Sequence, residues 1–225
     1  MNAVPDTDDS RDAKLFALAR AEMYSGLSRL LASPEQAIAK AWLDHVAIVE
    51  RLLIADEALS TEDSRIAELF ALSQAADLEH GAEDVAALVG ASYGALFEVG
   101  DRGPPLAIRE ELAPGANAAA KEEVARFYEH FGYRLGDDYA WRPDHLSVLL
   151  EFMHFLSWHE SQSGDAALIA GLRSAQRDFC QRHLAWWVGD LANSVAARSD
   201  AHPLLQASVR ATKDFIAVEL QSLGD

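Results

Sequence analysis

Hydrophobic positions recur along this chain at intervals of three and four residues, the spacing that gathers side chains on one face of an α-helix. From Ser10 to about Ala32 the stripe is Leu15, Leu18, Ala19, Met23, Leu27, Leu30 and Leu31. Ser33-Pro34-Glu35 then reads as a stop and a fresh N-cap with proline at the first helical position. A second helix is expected over roughly 35–58, through Ile38, Trp42, Val46, Val49 and Leu53. Ser60 or Thr61 caps a third, with Ile66, Leu69, Phe70 and Leu72 inside. Gly81 precedes a fourth over 83–98, carrying Val85, Leu88, Val89, Tyr93, Leu96 and Phe97. Residues 118–131 form a fifth, ended by Gly132.

The segment Trp141–Glu160, WRPDHLSVLLEFMHFLSWHE, is apolar on two faces. Leu146, Leu149, Leu150, Met153 and Leu156 make one, and Val148, Phe152 and Phe155 make the other. A helix apolar on two faces is buried, so this one runs through the middle of the domain. The spacing predicts that it opens at Pro143, with Asp144 placing a carboxylate among the free N–H groups of the first turn. A long helix from Asp165 to Arg198 follows, through Leu168, Leu172, Phe179, His183, Trp186, Trp187 and Leu191, and His202-Pro203 starts the last.

No strand pattern or internal repeat interrupts this order. The expected fold is all-α, a single helical bundle-like domain over 11–225, with 1–10 a disordered acidic tail. The longest irregular stretch is 100–117, GDRGPPLAIREELAPGAN, where Gly and Pro concentrate.

Composition narrows the function. The formal charge of −17 disfavours nucleic-acid binding, which calls for a basic face, and suits a basic partner. No apolar run is long enough to span a bilayer, and the start, MNAVPDTDDSRD, lacks a secretory signal. A single cysteine, Cys180, excludes an internal disulfide and fits a reducing compartment. The chain reads as cytoplasmic.

Four groupings invite a chemical reading. Gly90-Ala91-Ser92-Tyr93-Gly94 matches the Gly-x-Ser-x-Gly nucleophile pattern, but the residues before it have helical rather than strand periodicity; close helix packing through small residues is the favoured reading. Glu151 and His154 have the i, i+3 spacing of di-iron carboxylate bundles without a second copy, so a helical metalloenzyme is an alternative and a buried hydrogen-bonded pair the plainer one. Cys180 and His183 share that spacing. Asp144-His145 is the strongest case. It can simply cap the helix, or it can bind: Tyr139 and Trp141 precede it, and Glu110 and Glu111 lie in the earlier loop. Aromatic surface beside carboxylates suits a peptide that mixes apolar residues with arginines.

RPDHLSVLLEFMHFL, Arg142 to Leu156, resembles the signature of the TorD/DmsD-type redox-enzyme maturation chaperones and their NarJ-type relatives, with Pro143, Asp144 and His145 at the matching positions. Where that family often has an acidic residue before the proline, this chain has Arg142. SYGALFEVGDRGPPLAIREEL resembles the family's Tyr-x-x-Leu-Phe segment through Tyr93, Leu96 and Phe97, and FCQRHLAWW its later Phe, His-Leu and Trp helix. The mixture is similar to the chaperones of dimethyl sulfide and ethylbenzene dehydrogenases and of selenate and chlorate reductases. The resemblance implies a cytoplasmic chaperone, not an enzyme and with no cofactor of its own. It would bind the immature molybdopterin-containing catalytic subunit, often at a twin-arginine leader, before export. Asp144, His145, Trp141, Tyr139, Glu110, Glu111, Tyr93 and Phe97 are the expected client-binding residues. An accessory subunit retained in the mature complex is a further alternative, and a monomer or a loop-exchanged dimer is expected.

Overall fold

The computed structural model describes residues 7–33, 39–59, 66–98, 103–136 and 142–224. These contain α1 (Thr7–Leu30), α2 (Ala39–Leu43), α3 (His45–Ala58), α4 (Ile66–His80), α5 (Ala82–Phe97), α6 (Ala120–Phe131), α7 (Leu146–Gln162), α8 (Ala166–His183), α9 (Val188–Ala196) and α10 (Pro203–Gly224). Among the described residues there is no strand, so the fold class is all-α as the periodicity predicts.

Helix α7 is the central one. It lies antiparallel along α1: Leu15 and Leu18 of α1 adjoin Ser161 and Gln162, while His154 Nδ1 bonds the Ala21 carbonyl at 2.9 Å. Leu146, Val148, Leu149, Leu150, Phe152, Met153 and Leu156 are all buried, which is why both faces are apolar. One contiguous core takes buried residues from every helix, α1 to α10. Helix α1 also crosses α3 where Gly26 stands: a Cβ there would lie 2.5 Å from Leu52 Cδ2, so only glycine fits without moving its neighbour.

Several ends fall as expected. Gly132 closes α6 with φ 68°, a left-handed conformation glycine adopts freely. The Asp165 carboxylate caps α8 by accepting from Ala167 N–H at 2.9 Å. Others do not. Helix α1 begins at Thr7, ahead of Ser10; the rest of the expected tail, the helix start at Pro34-Glu35 and the cap at Ser60 or Thr61 lie outside the described residues. The expected 35–58 helix is divided, α2 ending at Leu43 and α3 starting at His45. The expected 165–198 helix is divided too, between His183 and Val188, where the chain turns through Leu184–Trp187. Of the expected irregular stretch, residues 103–117 are described and are less irregular than their composition suggests, because Glu110–Leu112 forms a 3-10 turn.

The central helix opens later than predicted. Pro143 and Asp144 form a turn before it, and His145 is the N-cap, with extended backbone (φ −70°, ψ 137°) and a side chain that accepts from Ser147 N–H. Asp144 therefore does not sit in the first helical turn. Its carboxylate is drawn away by a different partner.

Candidate functional site

That partner is the strap, Gly103–Asn117, which lies across the mouth of α7. Its start is tied to α5 by Leu106 N–H, which donates to Leu96 C=O at 3.0 Å. Its middle pairs with the residues before α7: Glu110 N–H donates to Asp144 C=O and Leu146 N–H donates to Ile108 C=O, both at 3.0 Å. These two bonds form an isolated antiparallel bridge between Arg109 and His145. The Asp144 side chain is fully buried. Its Oδ2 accepts from Glu111 N–H at 3.0 Å, and Arg109 reaches its Oδ1 with Nη2 at 3.3 Å. Arg109 also pairs with Glu111. A buried carboxylate is stable only when its lone pairs are met by donors, and both donors here come from the strap.

His145 is buried as well. Its Nδ1 accepts from Ser147 N–H at 3.2 Å, so Nε2 carries the proton and faces the Tyr93 hydroxyl at 2.9 Å. Tyr93 in turn donates to Leu31 C=O at 3.4 Å, joining α7, α5 and the end of α1 in one chain of bonds. Burial, with Arg142 and Arg109 nearby, lowers the His145 pKa to about 3, so the ring is neutral at ordinary pH. Phe97, one turn after Tyr93 on α5, meets its ring edge-on at 4.9 Å. Tyr128 of α6 closes the other side, its hydroxyl donating to Pro143 C=O at 2.8 Å.

A second buried carboxylate fixes the strap from the opposite direction. Glu110 is 2% exposed. It accepts from the Trp186 indole N–H at 3.1 Å and contacts His183 Nδ1 at 3.0 Å. Trp187 donates its indole N–H to His183 C=O at 2.8 Å. These contacts sit at the break between α8 and α9 and account for it: His183 and the two tryptophans are engaged off the helix axis.

The expected site residues thus divide plainly. Asp144, His145, Glu110, Tyr93 and Phe97 converge on the mouth of α7 but are buried there; Glu111 reaches the surface; Tyr139 and Trp141 lie outside the described residues. Arg109, Tyr128, His183 and Trp186 complete the arrangement and were not among the expected client-binding residues. His183 and Trp186 stood in the sequence as part of the long helix and of the FCQRHLAWW resemblance. Arg142, standing where an acidic residue was expected, has its guanidinium 3.7 Å from Glu98 at the end of α5.

The other groupings resolve differently. Ser92 lies inside α5, and its hydroxyl accepts from His202 N–H at 2.8 Å, just before α10. Gly94 permits no close approach, since a Cβ there would meet nothing within 4 Å. Glu151 is exposed beside Tyr133, while His154 turns to the Ala21 carbonyl, so the two do not form the expected buried hydrogen-bonded pair. Cys180 is buried and its thiol pKa is pushed up to about 12 by that burial. Among the described residues no group of three or more His, Cys, Asp or Glu is placed to hold a metal ion.

Residues 56–193, a span that holds the strap, the mouth of α7 and the α8–α9 break, match the nitrate reductase delta subunit family. The chain belongs to that family. It is 31% identical over 142 residues to the selenate reductase assembly chaperone protein of Thauera selenatis, covering 60% of this chain and 74% of the relative. It is 37% identical over 139 residues to the dimethyl sulfide dehydrogenase assembly chaperone protein of Rhodovulum sulfidophilum, covering 56% of this chain and 54% of the relative. The chlorate reductase assembly chaperone protein of Ideonella dechloratans is 33% identical over 114 residues, 48% of this chain and 57% of the relative. The matches to these last two span little more than half of each relative. No solved structure matches the chain.

Proposed function

We propose that this family member is a system-specific assembly chaperone and not an enzyme. It binds the immature catalytic subunit of a molybdopterin oxidoreductase in the cytoplasm, at its twin-arginine leader, until the cofactor is inserted. The observation that carries this reading is the family match across 56–193, with relatives named as assembly chaperones. The geometry suits it. Two buried carboxylates, Asp144 and Glu110, hold the strap in place, so Leu112 and Glu111 are presented on a fixed backbone rather than a loose loop. Asp144 and His145 then serve the client through the strap they position. Binding the precursor alone raises the population of its folded, insertion-ready form by mass action, with no covalent step. Among the described residues no helix is long and apolar enough to cross a membrane.

Co-elution tests the reading. The chain and the cofactor-free precursor of its cognate catalytic subunit should run as one complex in size-exclusion chromatography, and the complex should dissolve when the cofactor-loaded enzyme replaces the precursor. A chain that instead copurifies stoichiometrically with active enzyme is a retained subunit.

A further inference from the structure

The strap and α9 face one another across a cavity of about 480 Å³. Pro105, Leu106 and Leu112 line one side, and Trp187 and Leu191 the other. Asp190 is the one formally charged side chain among the described residues of the lining. Both walls are built before any ligand arrives. Prolines 104, 105 and 114 stiffen the strap. Trp187 and Leu191 are buried in their own wall, and Glu110 fastens the strap to the α8–α9 break through Trp186 and His183. Leu112 nevertheless leaves 45% of its surface open at the rim.

A preformed, mostly apolar groove with two placed polar side chains, Asp190 and Ser194, is a binding site in form, because little ordering entropy is lost when it fills. Its volume suits a few side chains rather than a helix face. A larger cavity of about 800 Å³ between α6 and α8 is a weaker candidate. Its arginines are already engaged: Arg182 with Glu123 and Asp178, Arg177 with the Leu223 carbonyl, and Arg126 with the Glu122 carbonyl.

Charge decides the occupant. The chain carries −17 overall, and the groove adds Asp190 to a wall without a cation among its described residues. We infer that the groove receives an extended segment of the catalytic-subunit precursor, apolar along its length, with one basic side chain set against Asp190. This rests on the chaperone reading.

The test titrates peptides tiling the cognate precursor against the full chain by fluorescence anisotropy, with the intact precursor measured alongside. The tightest peptides should carry an arginine or lysine within an apolar run. Asp190→Asn should weaken them about tenfold and Leu112→Asn about fivefold, whereas Leu78→Asn, on the exposed surface of α4, should change nothing. All three sites are exposed, so thermal midpoints should match wild type and report the fold as intact. Peptide binding indifferent to both groove variants overturns this assignment and leaves the chaperone reading standing, provided the intact precursor still binds. Failure of the intact precursor to bind wild-type chain overturns both. Groove variants that abolish self-association of the chain instead would make a second copy the occupant and also overturn it.

Discussion

At the scale of single residues, the mouth of α7 is built from polar groups that would be costly to bury alone and are stable only together. His145 illustrates the consequence for pH. Its folded pKa is about 3, against an ordinary value of 6.5. Between those values the unfolded chain takes up a proton that the folded chain does not. The contribution of neutral His145 is therefore complete above pH 6.5 and is lost as pH falls towards 3, with a slope of about 1.4 kcal/mol per pH unit. His145→Asn keeps a capping side chain but does not titrate. Urea unfolding of this variant from pH 7 to pH 4 should show a shallower acid loss than wild type by about one proton; parallel curves would mean that His145 is not the group responsible. Asp144 and His145 stood out in the sequence by type and position. Their partner Arg109 did not, because a contact across 35 residues leaves no local trace.

At the scale of elements, periodicity located the helices well wherever burial alone decides. The two apolar faces of α7 and the glycine cap of α6 are local facts and could be read directly. The division of α8 from α9 could not. The three-and-four spacing continues through Trp186, Trp187 and Leu191, no Gly or Pro stands at the break itself, 184–187, and the break falls where Glu110 engages His183 and Trp186. The late start of α7 has the same origin, since Arg109 and Glu111 N–H hold Asp144 out of the first turn. Gly26 gives the element scale its prediction. Glycine to alanine inside a helix normally stabilises by about 0.5–1 kcal/mol. Here the new Cβ would press on Leu52 Cδ2 and Cγ, at 2.5 and 2.7 Å, within the core. Gly26→Ala should therefore destabilise by about 1–3 kcal/mol, and the midpoint of thermal unfolding should fall by several degrees. A rise in that midpoint would show that α1 and α3 can separate at no cost.

At the scale of the whole molecule, the ends of the chain are joined through one buried arginine. Arg20 of α1, fully buried, bonds Glu219 of α10 at 2.8 and 3.0 Å, Glu160 of α7 at 3.0 Å and Gln176 of α8 at 2.5 Å. Tyr24 adds a bond to Glu219 at 2.9 Å. Nothing in the amino-acid pattern marks Arg20, which occupies an ordinary position beside an apolar stripe. Removing it leaves two buried carboxylates short of their counter-charge. Arg20→Met should cost about 3–5 kcal/mol, a large part of a reserve of about 5–15 kcal/mol, and chemical denaturation should show it directly. A loss below about 1 kcal/mol would mean that the site hydrates or repacks freely.

The fold therefore has one polar clasp holding α1, α7, α8 and α10 together, and a second network at the mouth of α7 that positions the strap. The first maintains the molecule; the second shapes the surface assigned to the client. The most direct measurement of that assignment is the molybdenum content of the cognate catalytic subunit, purified from cells with and without this chain. The account predicts that the subunit accumulates without molybdenum when the chain is absent, and that molybdenum returns on complementation although the chain is missing from the finished enzyme. A fully loaded catalytic subunit in cells lacking the chain would contradict it.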